Sequence, residues 1–378
     1  MKIKGLFDQV FSMENLYAAY KDAYNGRRYN RDVLLYGDDV WTNLRELQKK
    51  IYDGTYRIDR YYIFYVYEPK KRMIMSIVFE HRIVQWAIYR VVNPLFVKGY
   101  IRDTYGCIPG RGSIGAMRRL KGWMSYLSKK EGKWFYLKLD ISKYFYRINH
   151  HILIEILSKK LRDDKLLTIL KRIINCEHTP FGLPAGKSPG EVDPKDMLYD
   201  VGMPIGNLLS QMFANIYLNE ADQYCKRTLR IKYYVRYMDD IIILHNDKKT
   251  LFKWKNKISR FLRERLALDL NKKTCIRPIS QGVEFVGYRI WHNRVALRKS
   301  TTLAIKRRLK GVREAYGKGI LSFKQATIIF ICYMSMIEHT DSNELKEKII
   351  EDMVFVKKHK RKDNITGGND EDRSNGDQ

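Results

Sequence analysis

The spacing of apolar positions changes period along the chain, and each change marks a different kind of element. Through about residue 60 the period is helical: Leu16, Ala19 and Tyr20 share one face, and Leu44, Leu47 and Ile51 share another. Between 61 and 79 it shortens to that of strands. Tyr62-Ile63-Phe64-Tyr65-Val66-Tyr67 and Met73-Ile74-Met75-Ser76-Ile77-Val78 read as two strands joined through Glu68-Pro69-Lys70-Lys71-Arg72, a hairpin with a basic tip. A helix over 82–92 follows, which Asn93-Pro94 is expected to close. Strand character returns at 134–141 and on either side of Asp239-Asp240, with helices between, whereas 177–200 is rich in Gly, Pro and charge and reads as a loop insertion. From about 300 to 355 the pattern is helical throughout, and Ser322-Phe323-Lys324-Gln325 has the spacing of a capping box opening an apolar helix through Ile337. Residues 357–378 hold almost no apolar side chain and are expected to form a disordered tail. No internal repeat is visible.

Charge narrows the class of partner. Lys and Arg total 71 against 42 acidic residues, a net of +29. Such an excess repels itself in a compact state, and nucleic acid is the polyanion best suited to relieve it. Tyrosines, 27 in all, often adjoin cations, as in Arg28-Tyr29, Arg60-Tyr61, Lys143-Tyr144 and Lys232-Tyr233. That pairing suits stacking on bases, although a lone Tyr more often packs with its hydroxyl outward. Cys107, Cys176, Cys225, Cys275 and Cys332 are scattered without a CxxC pair, which argues against a disulfide framework or a zinc site and fits a reducing cytoplasm. The start, Met1-Lys2-Ile3-Lys4, has no apolar signal core, and no apolar run approaches the ~20 residues of a membrane span.

The candidate chemistry lies in carboxylates. In Tyr136-Leu137-Lys138-Leu139-Asp140-Ile141, alternation puts the aliphatic residues on one face and Lys138 with Asp140 on the other. In Tyr234-Val235-Arg236-Tyr237-Met238-Asp239-Asp240-Ile241-Ile242-Ile243-Leu244, two apolar runs flank two adjacent acids, the pattern of a hairpin with carboxylates at its turn. Two like charges between apolar strands cost stability unless cations neutralise them. Mg2+ takes hard oxygen ligands and leaves positions open for phosphate and water. An ordinary hairpin turn also favours Asp, and that reading stays open on these residues alone.

Together with Tyr237-Met238 the acids spell YxDD, and the chain resembles the reverse transcriptases. Asp140 stands where that family carries its other Asp. Gly202-Met203-Pro204-Ile205-Gly206-Asn207-Leu208-Leu209-Ser210-Gln211 resembles the family's Gly-x-x-x-Ser loop and helix. Leu268-Asp269-Leu270-Asn271-Lys272-Lys273-Thr274 and Val283-Glu284-Phe285-Val286-Gly287-Tyr288 are similar to its next two motifs, and the Glu68–Arg72 tip and Tyr105–Gly112 to its finger motifs. The resemblance implies an α+β right-hand polymerase with fingers, an antiparallel-sheet palm and a helical thumb. Its boundaries are N-terminal helices and fingers at 1–131, palm at 132–292 with a finger-side insertion at about 150–200, thumb at 293–356 and tail at 357–378.

The same resemblance implies RNA-directed DNA synthesis with two Mg2+ ions, a template RNA, a DNA or RNA primer and deoxynucleotides. Asp140 and Asp239 would ligate both ions with Asp240 supporting, and the Ile141 backbone would lie near the metal-bound triphosphate. Lys71 and Arg72 would grip the triphosphate, with the choice among Lys70, Lys71 and Arg72 open. Phe145 would act as the steric gate against a ribose 2′-hydroxyl, core packing being its alternative. Ile205, Gly206, Ser210 and Gln211 would lie around the nucleotide. Tyr237, Met238, Gly287, Tyr288, Lys306 and Arg307 would meet primer and template. Lys273 would be a general acid for pyrophosphate or simply a solvated lysine. His150 and His151 are read as structural.

Ile205 and Gln211 depart from the family's usual Gln before the glycine and Pro after the serine. This Ile-Gly-x-x-x-Ser-Gln loop resembles the reverse transcriptases of diversity-generating retroelements, as do Glu14–Tyr20 and the Glu-Pro-Lys-Lys-Arg tip. That subgroup implies copying with errors opposite template adenine, and a small basic accessory protein. A retron, group II intron-like or antiphage-defence enzyme, or a non-catalytic RNA-binding scaffold, are the alternatives.

Overall fold

The computed structural model describes residues 5–58, 60–67, 72–176, 178–184, 186–187 and 191–356. The chain divides into two compact units, Met1–Ala296 and Leu297–Gln378. The first opens with helices α1 (Leu6–Val10), α2 (Met13–Tyr24), α3 (Arg31–Asp38) and α4 (Val40–Tyr52), then the antiparallel hairpin β1 (Tyr62–Val66) and β2 (Arg72–Ser76). Next come α5 (Phe79–Val97), α6 (Ser113–Leu127), β3 (Phe135–Asp140), α7 (His150–Lys160), α8 (Asp164–Asn175) and α9 (Leu208–Gln223). The unit is completed by β4 (Tyr233–Tyr237), β5 (Asp240–His245), α10 (Lys248–Leu266), β6 (Cys275–Pro278), β7 (Val283–Phe285), β8 (Tyr288–Ile290) and β9 (Val295–Leu297), whose last residue begins the second unit. The second unit is helical: α11 (Lys299–Gly317), α12 (Phe323–Glu338) and α13 (Asn343–Asp352).

Helix starts follow side-chain chemistry. Ser12, Asp39, Asn149, Asp163 and Asp247 each accept a hydrogen bond from a backbone N–H in the first turn, satisfying donors that the helix itself leaves unpaired. At α12 both halves of the expected capping box form between Ser322 and Gln325. Asn93-Pro94 does not close its helix, which runs on to Val97. Proline forfeits its own N–H and crowds the preceding turn, but only three helical residues follow it, so few later bonds depend on that turn. The hairpin tip at 68–71 and the tail at 357–378 lie outside the described residues.

The central sheet has the order β4-β5-β3-β6, with every neighbouring pair antiparallel. Register places Asp140 opposite Asp240, and Tyr237 opposite Asp240 on the other side. Facing residues of an antiparallel pair point the same way, so Lys138, Asp140, Asp240 and Tyr237 share one face. The other face carries Leu137, Leu139, Ile241, Ile243 and Tyr234, buried in one core with Leu251, Ile258, Leu262 and Leu266 of α10 and with α9. Each aliphatic side chain so buried stabilises the layer by about 1.5–3 kcal/mol. This rear layer holds the sheet rigid beneath its polar face.

Candidate active site

Tyr237 pairs with Asp240, leaving Met238 and Asp239 as a two-residue turn between β4 and β5. Met238 adopts φ +51°, a left-handed conformation normally left to Gly or Asn. The surroundings hold it there. Beneath the sheet, wholly buried Arg236 donates from Nε to Asp222 Oδ1 at 2.8 Å and from Nη2 to Asp222 Oδ2 at 2.7 Å. Its Nη1 donates to the Met238 carbonyl at 3.0 Å and to Asn215 Oδ1 at 3.1 Å. Burial opposes the guanidinium charge, but Asp222 outweighs burial and keeps Arg236 protonated. Tyr234 and Thr104 hydroxyls complete the shell of Asp222 at 2.6 and 2.8 Å.

A second grip comes from the strand edge. The Tyr105 N–H donates to the Arg236 carbonyl at 2.9 Å, and the Arg236 N–H donates to the Asp103 carbonyl at 3.0 Å. This lays 103–106 along β4, so that a Cβ on Gly106 would fall 2.6–2.8 Å from Met238 atoms. Only glycine lets the two backbones approach so closely.

Asp140 and Asp240 thus face each other across the sheet where β3 ends and β5 begins, and Asp239 follows Met238 in the adjoining turn. The Asp140 carbonyl accepts from the Asn271 N–H at 2.7 Å, and the Ser142 N–H donates to the Asp269 carbonyl at 2.8 Å, so the 268–274 motif is stitched to the end of β3. Burial raises the Asp239 carboxyl above its ordinary range; the Asp140 charge adds to this, while Arg72 and Arg236 oppose it. Burial pushes Asp240 up to about 6, against the pull of Lys138, with Asp239 and Asp140 raising it further. Lys138 Nζ lies 3.1 Å from Asp240 Oδ2 and also donates to the Glu284 carbonyl at 2.8 Å, tying the acid to β7. Asp240 Oδ1 is buried with no hydrogen-bond partner among the described residues.

The donor set fits Mg2+: hard carboxylate oxygens, one of them buried and unsatisfied, in a cluster whose mutual repulsion a cation would relieve. Among the described residues no three His, Cys, Asp or Glu side chains already converge as a finished site.

Arg72 begins β2, is exposed, and its charge reaches both Asp239 and the Tyr146 phenol. Lys71 lies outside the described residues. The 202–211 loop is zipped to β2: the Met75 N–H donates to the Ile205 carbonyl at 3.0 Å, and Asn207 Nδ2 donates to the Met75 carbonyl at 3.1 Å. Gly206 is exposed at φ +109°, and a Cβ there would press on Ile74 at 3.0 Å. Ile205 is half-buried against the core, Gln211 is half-buried, and Ser210 is buried. Phe145 sits half-buried in a short 3-10 turn, its carbonyl accepting from the Met203 N–H at 2.7 Å.

Val286 and Gly287 form the β7–β8 turn with φ +45° and +90° and are half-buried, while Tyr288 is buried. Lys273 is exposed just beyond Asn271. His150 is buried with Nε2 2.6 Å from the Gly202 carbonyl, in keeping with a structural role. Lys306 and Arg307 lie exposed on α11 of the second unit. Lys138, Arg236, Asp222 and Asn207 are neighbours of the site to which the sequence reading gave no role. The signal available for Arg236 was a charge inside an apolar strand.

Residues 68–290 match the family described as Reverse transcriptase (RNA-dependent DNA polymerase). The chain belongs to the reverse transcriptase family. The α+β fold with its antiparallel sheet is the one the sequence resemblance implied, and divalent metal is the family's general requirement. Relatives of this reverse transcriptase include Protein YkfC of Escherichia coli, 25% identical over 56% of this chain and 61% of that one. Another is the Group II intron-encoded protein LtrA of Lactococcus lactis, 22% identical over 81% of this chain and 60% of that one. The Putative COX1/OXI3 intron 2 protein of Saccharomyces cerevisiae is 24% identical over 55% of this chain and 29% of that one. The chain thus spans less than two thirds of each. A telomerase structure from Candida albicans aligns over 84% of this chain and 60% of that one, with 14% identity and TM-score 0.46. Among the described residues no helix is long and apolar enough to cross a membrane.

Proposed function

We propose that this chain extends a DNA or RNA primer on an RNA template, with Asp140 and Asp239 as the principal Mg2+ ligands and Asp240 as their support. The observation that carries the reading is the register that sets Asp140 opposite Asp240, next to the turn that holds Asp239, with a buried Asp240 oxygen left without a partner among the described residues. When bound, two divalent ions activate the primer 3′-hydroxyl and stabilise the pyrophosphate leaving group. The chain's own part is to hold the acids still through Arg236 and Lys138, to offer Arg72 to the triphosphate, and to leave Gly206 open for the nascent base pair. Phe145 beside that loop serves as the gate that selects deoxynucleotides. Lys273 is within the motif that joins Asp140 and is the candidate proton donor to pyrophosphate. The β7–β8 turn, Tyr237 and Met238 face the primer, and the basic face of α11 tracks the duplex backbone.

The finer reading is copying with errors opposite template adenine in a diversity-generating retroelement, together with a small basic accessory protein. Its support is Ile205, whose apolar side chain packs but cannot hydrogen-bond a nucleotide edge. A group II intron-type role is the second reading, favoured by the likeness to a group II intron-encoded protein. Sequencing of extension products separates them. Errors concentrated at template adenines, and reduced by Ile205→Gln, support the retroelement reading. Uniformly accurate products, unchanged in Ile205→Gln, favour the intron-type role.

A further inference from the structure

A second run of cations lies away from the acids' face. Helix α10 packs its apolar stripe against the rear of the sheet, in the same core as Leu137, Leu139, Ile241 and Ile243. Its outward face is therefore separated from the carboxylates by the sheet and by a helix roughly 10–12 Å across. On that face Lys249, Lys253, Lys257 and Arg260 are exposed and follow one another at spacings of four, four and three residues. They form a line roughly 16 Å long. Among the described residues none of the four pairs with a carboxylate. Arg263 pairs with Asp269, and Glu264 is the one acid on the helix.

The spacing of these cations is unfavourable for an isolated helix. Like charges at i,i+4 repel, and Lys248 and Lys249 occupy the first turn, where the helix dipole is positive and the Asp247 cap is the acid that offsets it. Local costs without a structural return mark a functional surface. The helix cannot be inserting into a lipid surface, because its apolar stripe is already in the core. Phe252 on the same helix stands 55% exposed, with Lys255 Nζ 5.6 Å from its ring centre. An aromatic ring between lysines suits unpaired bases, not the closed edge of a duplex.

We propose that the outer face of α10 binds single-stranded RNA, as a second nucleic-acid surface on the opposite side of the sheet from the acids. Resting on the polymerase reading, its occupant is the unpaired part of the template RNA beyond the copied region. Lysines and Arg260 contact successive phosphates, and Phe252 stacks on a base.

The test uses the full chain and the variant Lys249→Gln/Lys253→Gln/Lys257→Gln/Arg260→Gln. The probes are a short primer–template duplex and the same duplex with a long unpaired uridine-rich RNA overhang. Relief of like-charge repulsion should leave the variant's melting temperature equal or higher, which shows that it folds. The expected result is at least tenfold weaker binding of the overhang probe, with short-duplex extension within twofold of wild type. The salt slope for the overhang probe should fall by about 3, since each phosphate contact contributes about 0.7 for single strands. A variant that binds the overhang probe like wild type overturns the proposal, as does equal loss on both probes. Absence of extension by the unmodified chain would count against the polymerase reading instead, leaving the binding comparison to stand on its own.

Discussion

The buried pair beneath the turn allows stability and positioning to be separated. Arg236 and Asp222 are both fully buried, and Arg236 makes bonds of 2.8, 2.7, 3.1 and 3.0 Å to Asp222, Asn215 and the Met238 carbonyl. Arg236→Met leaves Asp222 ionised, buried and without its cation, a loss of about 3–5 kcal/mol. At about 2–4 °C per kcal/mol for domains of 150–250 residues, the melting temperature falls by on the order of 10 °C. Adding Asp222→Asn removes the stranded charge, while Tyr234 and Thr104 keep an acceptor, so about 2 kcal/mol returns. Activity should not return with it, because the Met238 carbonyl lacks its donor in both variants and only the strand-edge grip still holds the left-handed turn. Urea unfolding and single-nucleotide incorporation, run on both variants, make the comparison. A double variant that recovers wild-type turnover along with stability would refute the positioning role, and a single variant stable to within 1 kcal/mol would refute the energetics.

Lys138→Met removes a charge-assisted hydrogen bond worth about 1.5–3 kcal/mol from Asp240, so turnover should fall roughly 10- to 100-fold with nucleotide KM little changed. Lys138→Arg should recover part of it; a shift in KM alone would contradict the assignment. In metal-free protein the Asp240 carboxyl titrates at about 6 when folded, above its ordinary 3.8, so the folded state holds the extra proton between those values. Stability is therefore lost as pH rises through that window, by at most about 3 kcal/mol and by less because 27% of the side chain is exposed. Unfolding in chelator from pH 4 to 7 should show the decline in wild type and a smaller one in Asp240→Asn, with the part due to Asp239 remaining; parallel curves would contradict the burial argument.

Much of the sheet was legible because its signals are local. Strand alternation put Lys138 and Asp140 on one face, and two apolar runs around Asp239-Asp240 gave the hairpin, both as found. Long-range partners were not legible. Arg236 finds Asp222 on a helix, and Gly106 meets Met238, only after the chain folds back. The loop carrying Ile205 reads in sequence as a nucleotide contact, yet its Ile205 carbonyl and its Asn207 side chain are both spent on Met75 and its Ser210 is buried. The run through Pro94 escaped a rule that weighs the proline but not its distance from the helix end.

The central claim is that Asp140, Asp239 and Asp240 form one metal-dependent centre for RNA-templated DNA synthesis. Extension of a DNA primer on RNA, with Mg2+ or chelator and with wild type or Asp239→Asn, tests it most directly. The account predicts extension by wild type in Mg2+ alone and background in every other arm, with Asp239→Asn still folded and still binding the duplex. Extension by Asp239→Asn at the wild-type rate, or by wild type in chelator, would contradict it.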